Sequence, residues 1–125
     1  MIARANWKWY GFPGHYICSD DCHFHIVTRV GRWIVSSIGA KRRGDGPLET
    51  IGGDGTVPGS GRTYETKVFP IAHAETKQCG CGQPHAMTWR ELDSRGYTDS
   101  NAALAGHLAM CEKWAAIDRI PRKTT

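Results

Sequence analysis

No run in this 125-residue sequence approaches the ~20 consecutive apolar residues that a membrane-crossing helix needs, so a membrane span is not expected. The start, Met-Ile-Ala-Arg-Ala-Asn-Trp-Lys-Trp-Tyr, is too polar and too aromatic for a secretory leader, and the chain reads as cytoplasmic. Cysteine is scarce and odd in number, five in all. In a reducing compartment these stay as thiols, and an odd count argues against a closed disulfide framework. The short signatures HExxH and GxSxG are missing, as is any paired-carboxylate pattern. The glycine-rich stretch Gly52-Gly53-Asp54-Gly55-Thr56-Val57-Pro58-Gly59-Ser60-Gly61 lacks the Walker lysine pattern and a GxGxxG placed after a strand. By signature it is not a nucleotide-binding loop, although glycine loops can offer backbone N–H groups to phosphate.

Charge is present but uneven. The net charge is +4, and residues 1–47 carry all of it, with seven Lys/Arg against three Asp; nine Lys/Arg balance nine acids in the remainder. A basic half points to an anionic partner. The excess is too modest for the dense stripe of a dedicated nucleic-acid binder, and a small phosphorylated ligand fits it equally well.

The most informative stretch runs from Cys22 to Gly39. Two β-branched, aromatic-rich segments flank Gly31-Arg32, and Gly at the first turn position permits the positive φ of a II′ hairpin. That turn sets a register: Val30 opposite Trp33, Thr28 opposite Val35, Ile26 opposite Ser37 and Phe24 opposite Gly39 on one face. On the other face Arg29 meets Ile34, Val27 meets Ser36 and His25 meets Ile38. The first face is apolar. The second is half apolar, so it too should meet something: the rest of the chain, a second copy or a ligand.

Before the hairpin, residues 7–16 read as an N-terminal strand and a Phe-Pro-Gly type II turn, packing the core or forming a stacking surface beside His15. After it, residues 39–61 hold eight of the fifteen glycines, edged by Lys41, Arg42, Arg43 and Arg62. Residues 63–72 form the next strand, with Pro70 at an edge or at its end. Residues 76–98 read as irregular apart from a turn of helix near Trp89–Leu92. Residues 99–118 read as a helix capped by Asp99 or Ser100. Its apolar face is Leu104, His107, Leu108, Cys111, Trp114 and Ala115, and its outer face Asn101, Ala105, Glu112, Lys113 and Ala116. The expected fold is α+β: one domain over residues 1–125, with a small antiparallel sheet packed by a long C-terminal helix and a glycine-rich loop at about residues 40–61.

Three chemistries compete. Zinc would draw on Cys18, Cys22, His23 and His25, on Cys79, Cys81 and His85, or on His107 and Cys111 one helical turn apart. Structural zinc wants four thiolates or imidazoles, usually from Cys-x2-Cys knuckles, and neither cluster has one. The plainer alternative makes Cys18, Cys22 and Cys111 small buried side chains. A nucleophile could be assembled from Cys22, His15 and Asp20, but no signature surrounds them. Ligand capture fits the supply of flat rings (Trp7, Trp9, Tyr10, Phe12, Trp33, Tyr64, Trp89) and donors (His15, His25, Arg29, Arg62, Arg119), which are also ordinary core and surface residues.

One ordered set of motifs carries a resemblance. Tyr10-Gly11-Phe12-Pro13-Gly14-His15 leads to Cys18, Cys22 and Phe24-His25, then to a hairpin ending Ile34-Val35-Ser36-Ser37-Ile38-Gly39. Glu49-x-Ile51-Gly52, Tyr64-Glu65-Thr66-x-Val68-Phe69 and Cys79-Gly80-Cys81-Gly82 follow, and Gly106-His107-x3-Cys111-x2-Trp114 closes the set. From Tyr10 to Trp114 the chain resembles the first-described family of phage anti-Thoeris proteins, the Thoeris anti-defence sponges. The resemblance implies a phage protein in the host bacterial cytoplasm that binds the cyclic ADP-ribose isomer made by TIR-domain enzymes and holds it uncleaved, so that the effector is never activated. It implies a homodimer with pockets at the subunit boundary, or a hexamer that also takes cyclic trinucleotides. Catalytic residues, metal ligands and cofactors are not part of this reading, and neither is a nucleic-acid polymer.

A guest of about 35 heavy atoms at about 0.3 kcal/mol each reaches about −10 to −11 kcal/mol, close to the roughly −12 kcal/mol of nanomolar binding. That requires a deep pocket, which a cleft between two copies would supply. From residue type and position, Phe12 and Trp89 are expected to stack on bases and Arg62 and Arg119 to meet the pyrophosphate. His15, Asn101 and His107 are expected at the ribose or base edges. The alternative is a small zinc-binding module that recognises nucleic acid or a host protein.

Overall fold

The computed structural model describes residues 2–10, 22–42, 45–47, 62–71 and 91–117. The Phe-Pro-Gly turn, Cys18, most of the glycine-rich stretch, and Cys79, Cys81 and His85 lie outside the described residues.

The hairpin forms as its turn chemistry dictates. β2 (Cys22–Val30) and β3 (Trp33–Lys41) meet at Gly31, whose φ is +62°, while Arg32 stays at negative φ. That combination is a II′ rather than a I′ turn. Every expected cross-strand pair is present, from Val30↔Trp33 to Phe24↔Gly39 and from Arg29↔Ile34 to His25↔Ile38. β4 (Tyr64–Pro70) pairs with the far edge of β3, with Val68 opposite Val35 and Thr66 opposite Ser37. Pro70 is its last residue and lies beyond the stretch that pairs with the next strand. β1 (Lys8–Tyr10) pairs with β2 and β5 (Asp93–Tyr97) with β4, which completes a five-stranded sheet in the order β1-β2-β3-β4-β5. Every neighbouring pair is antiparallel.

β5 overturns the irregular reading of this part of 76–98. Asp-Ser-Arg-Gly-Tyr shows no apolar alternation because an edge strand needs only backbone pairing on one side. Glu91 and Leu92 lead straight into it rather than forming a helical turn, and the Leu92 N–H donates to the Val68 carbonyl at 2.7 Å.

α1 (Ser100–Ala115) packs on one face of the sheet. Asp99 is its N-cap: the carboxylate accepts from the Ala102 N–H at 2.8 Å, relieving one of the orphan donors of the first turn. The helix ends before the expected residue 118, with Ala116 as C-cap. Its buried face is Ala103, His107, Met110, Cys111, Trp114 and Ala115. Leu104, expected on that face, is 45% exposed; the helix is rotated so that Ala103 and Met110 point inward.

The core lies between α1 and the first hairpin face: Val30, Trp33, Val35 and Val68 from the sheet, Met110, Cys111 and Trp114 from the helix, and Trp7 from the N-terminus. Trp33 and Trp114 meet edge to face with ring centroids 5.1 Å apart, an arrangement worth about 0.5–1.5 kcal/mol beyond the buried area. Both indole N–H groups are satisfied, Trp33 by the Ile117 carbonyl at 2.6 Å and Trp114 by Asp93 at 2.9 Å. The Ile2 N–H donates to the Ala115 carbonyl at 2.8 Å and ties the start of the chain to the end of the helix.

The second sheet face is also buried. His25, Val27, Ile34, Ser36, Ile38, Glu65 and Phe69 all lie on it out of solvent, as its apolar content requires, although among the described elements no helix covers it. Burial raises the pKa of the Glu65 carboxyl above its usual range, despite the opposing charge of Lys67. Among the described residues no helix is long and apolar enough to cross a membrane.

Candidate functional site

The meander brings one set of chain ends together. β4 starts at Tyr64, opposite Gly39 of β3 and Tyr97 of β5, and α1 starts three residues after Tyr97. Phe24 of β2 pairs with that same Gly39. This end of the sheet therefore carries two half-buried rings, Phe24 and Tyr64, with Lys41 and exposed Arg42 and Arg62 in the adjoining strand ends and exposed Asn101 in the first turn of α1.

The rings are placed by a glycine. A Cβ built on Gly39 would fall 2.0 Å from the Tyr64 ring, so only glycine lets Tyr64 lie across β3. There the ring meets Phe24 edge to face, with centroids 5.3 Å apart. The cations come from strand ends and the helix contributes the positive end of its dipole. Flat faces, cations and a helix start at one edge suit a flat anionic guest. Sequence reasoning named Arg62 and Asn101 as contacts, counted Tyr64 among the candidate rings and noted Lys41 and Arg42 at the edge of the glycine-rich stretch, but passed over Phe24. The available signal was Phe24 opposite a glycine, which leaves a gap for a second ring.

The remaining expected site residues divide in two. Phe12, His15, Trp89 and Arg119 lie outside the described residues. His107 is on the page and is not at the surface. It is fully buried, with Nε2 2.8 Å from the Thr28 hydroxyl and Nδ1 2.7 Å from the Ser37 hydroxyl. Ser37 in turn lies 2.5 Å from the Thr66 hydroxyl. Neither ring nitrogen is open to a guest, which corrects its expected contact with ribose or base. Burial lowers its pKa from 6.5 to about 4, so the imidazole is neutral at pH 7, donating to one hydroxyl and accepting from the other. In the open, the Ser37–His107 contact would look like a nucleophile with its base; here it is a sealed polar link between helix and sheet.

Trp9 covers this link from the β1 edge, its ring 5.8 Å from the imidazole and 51% exposed. Cys111, next to His107 on the helix face, has a buried thiol whose pKa is pushed up to about 12 by desolvation, so it offers no thiolate to a metal or an electrophile. Cys22 is buried as well. Among the described residues no group of three or more His, Cys, Asp or Glu side chains converges. A second polar feature lies between β5 and α1, a cavity of about 80 Å³ lined by Asp93, Arg95, Tyr97, Gly106, Ala109, Met110 and Lys113.

The chain matches no family model, no curated protein and no solved structure.

Proposed function

We propose that this chain is a non-enzymatic sponge which binds a cyclic ADP-ribose isomer, and cyclic oligonucleotides such as cyclic trinucleotides, between copies of itself and so blocks TIR-based Thoeris immunity in the host bacterial cytoplasm. The observation that carries it is the Phe24–Tyr64 ring pair over Gly39, at strand ends that run into Arg42 and Arg62, with α1 beginning three residues after Tyr97. Rings there stack on bases at about 1–3 kcal/mol each, and the arginines take phosphate oxygens in pairs. The ordered motifs between Tyr10 and Trp114 support the same ligand class through their resemblance to the sponges.

The size of the guest favours an oligomer. A guest of about 35 heavy atoms needs deep enclosure to reach nanomolar affinity. Two or more copies closing over it would supply that enclosure, with Phe12, His15, Trp89 and Arg119 as further proposed contacts.

Native mass spectrometry with and without cyclic ADP-ribose isomers tests the reading. The expected result is a dimer or hexamer that keeps the ligand intact and carries no stoichiometric metal. A monomer that ignores the ligand, or ligand recovered chemically changed, overturns it. Stoichiometric zinc together with unfolding by a chelator would favour the zinc module instead.

A further inference from the structure

The sheet has two edge strands, and they differ. At β5 the Ser94 N–H is already taken by the Asp93 carboxylate at 2.9 Å, and the strand carries charges of both signs in Asp93 and Arg95. Such an edge is blunted against further pairing. β1 is the other edge. Among the described strands it pairs with β2 alone, and its Trp9 is 51% exposed. α1 packs over β2 to β5, so Trp9, opposite Thr28 on the helix-facing side, stands beside the helix rather than under it. The helix flank across from it is also apolar and open. Glu112 pairs with Arg4, whose guanidinium lies 5.4 Å from the Trp7 ring centroid, and this pair marks the flank turned toward β1. Leu108 and Leu104 lie one and two turns before Glu112 on that flank. Leu104 is 45% exposed and Leu108 half-buried. The Trp9 ring reaches to 5.8 Å from the ring of His107, which falls between the two leucines in sequence. An apolar groove thus runs along β1 on the helix-facing side.

The opposite face of the same edge is basic. Lys8 is the direct cross-strand partner of Arg29, and both point away from the side that carries Trp9. Like charges in that position repel. Lys8 is exposed and Arg29 half-buried. The Arg29 Nε donates to the Gly31 carbonyl at 3.0 Å, which holds the guanidinium in place. Neither cation makes an ion pair among the described residues. An acid arriving at this edge would offset the repulsion.

We propose that β1 is a docking edge for an extended segment of a partner protein in which acidic and apolar residues alternate. The backbone of that segment continues the sheet beyond β1. Its apolar side chains fall against Trp9 and Leu104, and its acids against Lys8 and Arg29. Alternation is what selects this occupant. The ring and the cations lie on opposite faces, and only a β-strand sends successive side chains to both. A nucleic-acid strand or a lipid surface approaches from one side and meets either the ring or the cations. The β1 of a second copy, Lys8-Trp9-Tyr10, brings no acid and leaves the repulsion in place. The edge stands independently of the sponge reading, which uses none of these residues.

The test is titration of the ¹⁵N-labelled full chain, followed by NMR, with the peptide acetyl-Glu-Val-Glu-Leu-Glu-Val-Glu-amide. Parallel arms use the same peptide with every Glu replaced by Lys, the same peptide with alternate backbone nitrogens methylated, and oligothymidylate. Saturable shifts at the amides of Lys8–Tyr10 and at the Trp9 indole N–H are expected with the acidic peptide, and none with the lysine or methylated peptides. Lys8→Glu should weaken the acidic peptide about tenfold and admit the lysine peptide. Trp9→Ser should weaken it about tenfold as well. Arg95→Gln, on the opposite edge, should leave binding unchanged. Both altered residues on β1 are exposed, spectra without peptide report whether each variant is folded, and Lys8→Glu suffices if Trp9→Ser is not. Shifts that do not saturate, that the methylated peptide reproduces, or that survive in folded Lys8→Glu overturn the proposal. Tighter binding of oligothymidylate at the same amides overturns it too, as does self-association through β1 that the acidic peptide fails to reverse.

Discussion

His107 joins the two layers of the fold through a side chain that can take a proton. An unfolded histidine binds one near pH 6.5, whereas this one resists until about pH 4 because protonation would bury a charge. Stability from its neutral burial is therefore complete above pH 6.5 and is lost as pH falls through that window, by about 3 kcal/mol in all. Thermal melts between pH 7 and pH 4 should show this loss, and His107→Gln should flatten the dependence even though it lowers stability at pH 7. Ala40 presents the opposite kind of strain, since it holds φ at +51° at the end of β3, a conformation that costs an L-residue about 1 kcal/mol. Ala40→Gly should raise the unfolding free energy by about 0.5–1 kcal/mol, read from urea titration.

Among the elements, β3 shows how a small residue organises larger ones. Gly39 leaves the space in which the Tyr64 ring crosses the strand. Gly39→Ala should cost about 1–3 kcal/mol through overpacking and displace the ring from Phe24, visible as changed aromatic shifts. α1 depends on its first turn. Asp99→Ala removes the acceptor for the Ala102 N–H and should cost about 0.5–2 kcal/mol, with amide exchange accelerating first in the opening turn. The same change removes a negative charge beside Asn101, so binding of an anionic guest there should not suffer.

For the molecule as described, β3 is buried on both faces from Trp33 to Gly39, and Lys41, Arg42 and Arg62 flank the strand ends that carry Phe24 and Tyr64. If that end receives a cyclic ADP-ribose isomer, ligand at a hundredfold excess over Kd should stabilise the fold by about 2.7 kcal/mol. A thermal shift that fades in Arg62→Ala, while the apo melt stays the same, checks both the ligand and the place.

The hairpin, its register and the capped helix were legible in the chain because each is set locally. A glycine with φ of +62° selects the turn, period-two patterning selects the faces, and Asp99 marks the helix start. β5 was not legible, because an edge strand takes its structure from the backbone of β4 rather than from its own side chains. Arg62 and Asn101 could be proposed from residue type, but their company at one edge depends on the antiparallel return of β4 and β5. Whether His107 faced a guest or the core also depended on packing: a helical period locates a face only to within about one residue position, and the two hydroxyls that hold the imidazole come from separate strands, β2 and β3, with Thr66 of β4 behind Ser37.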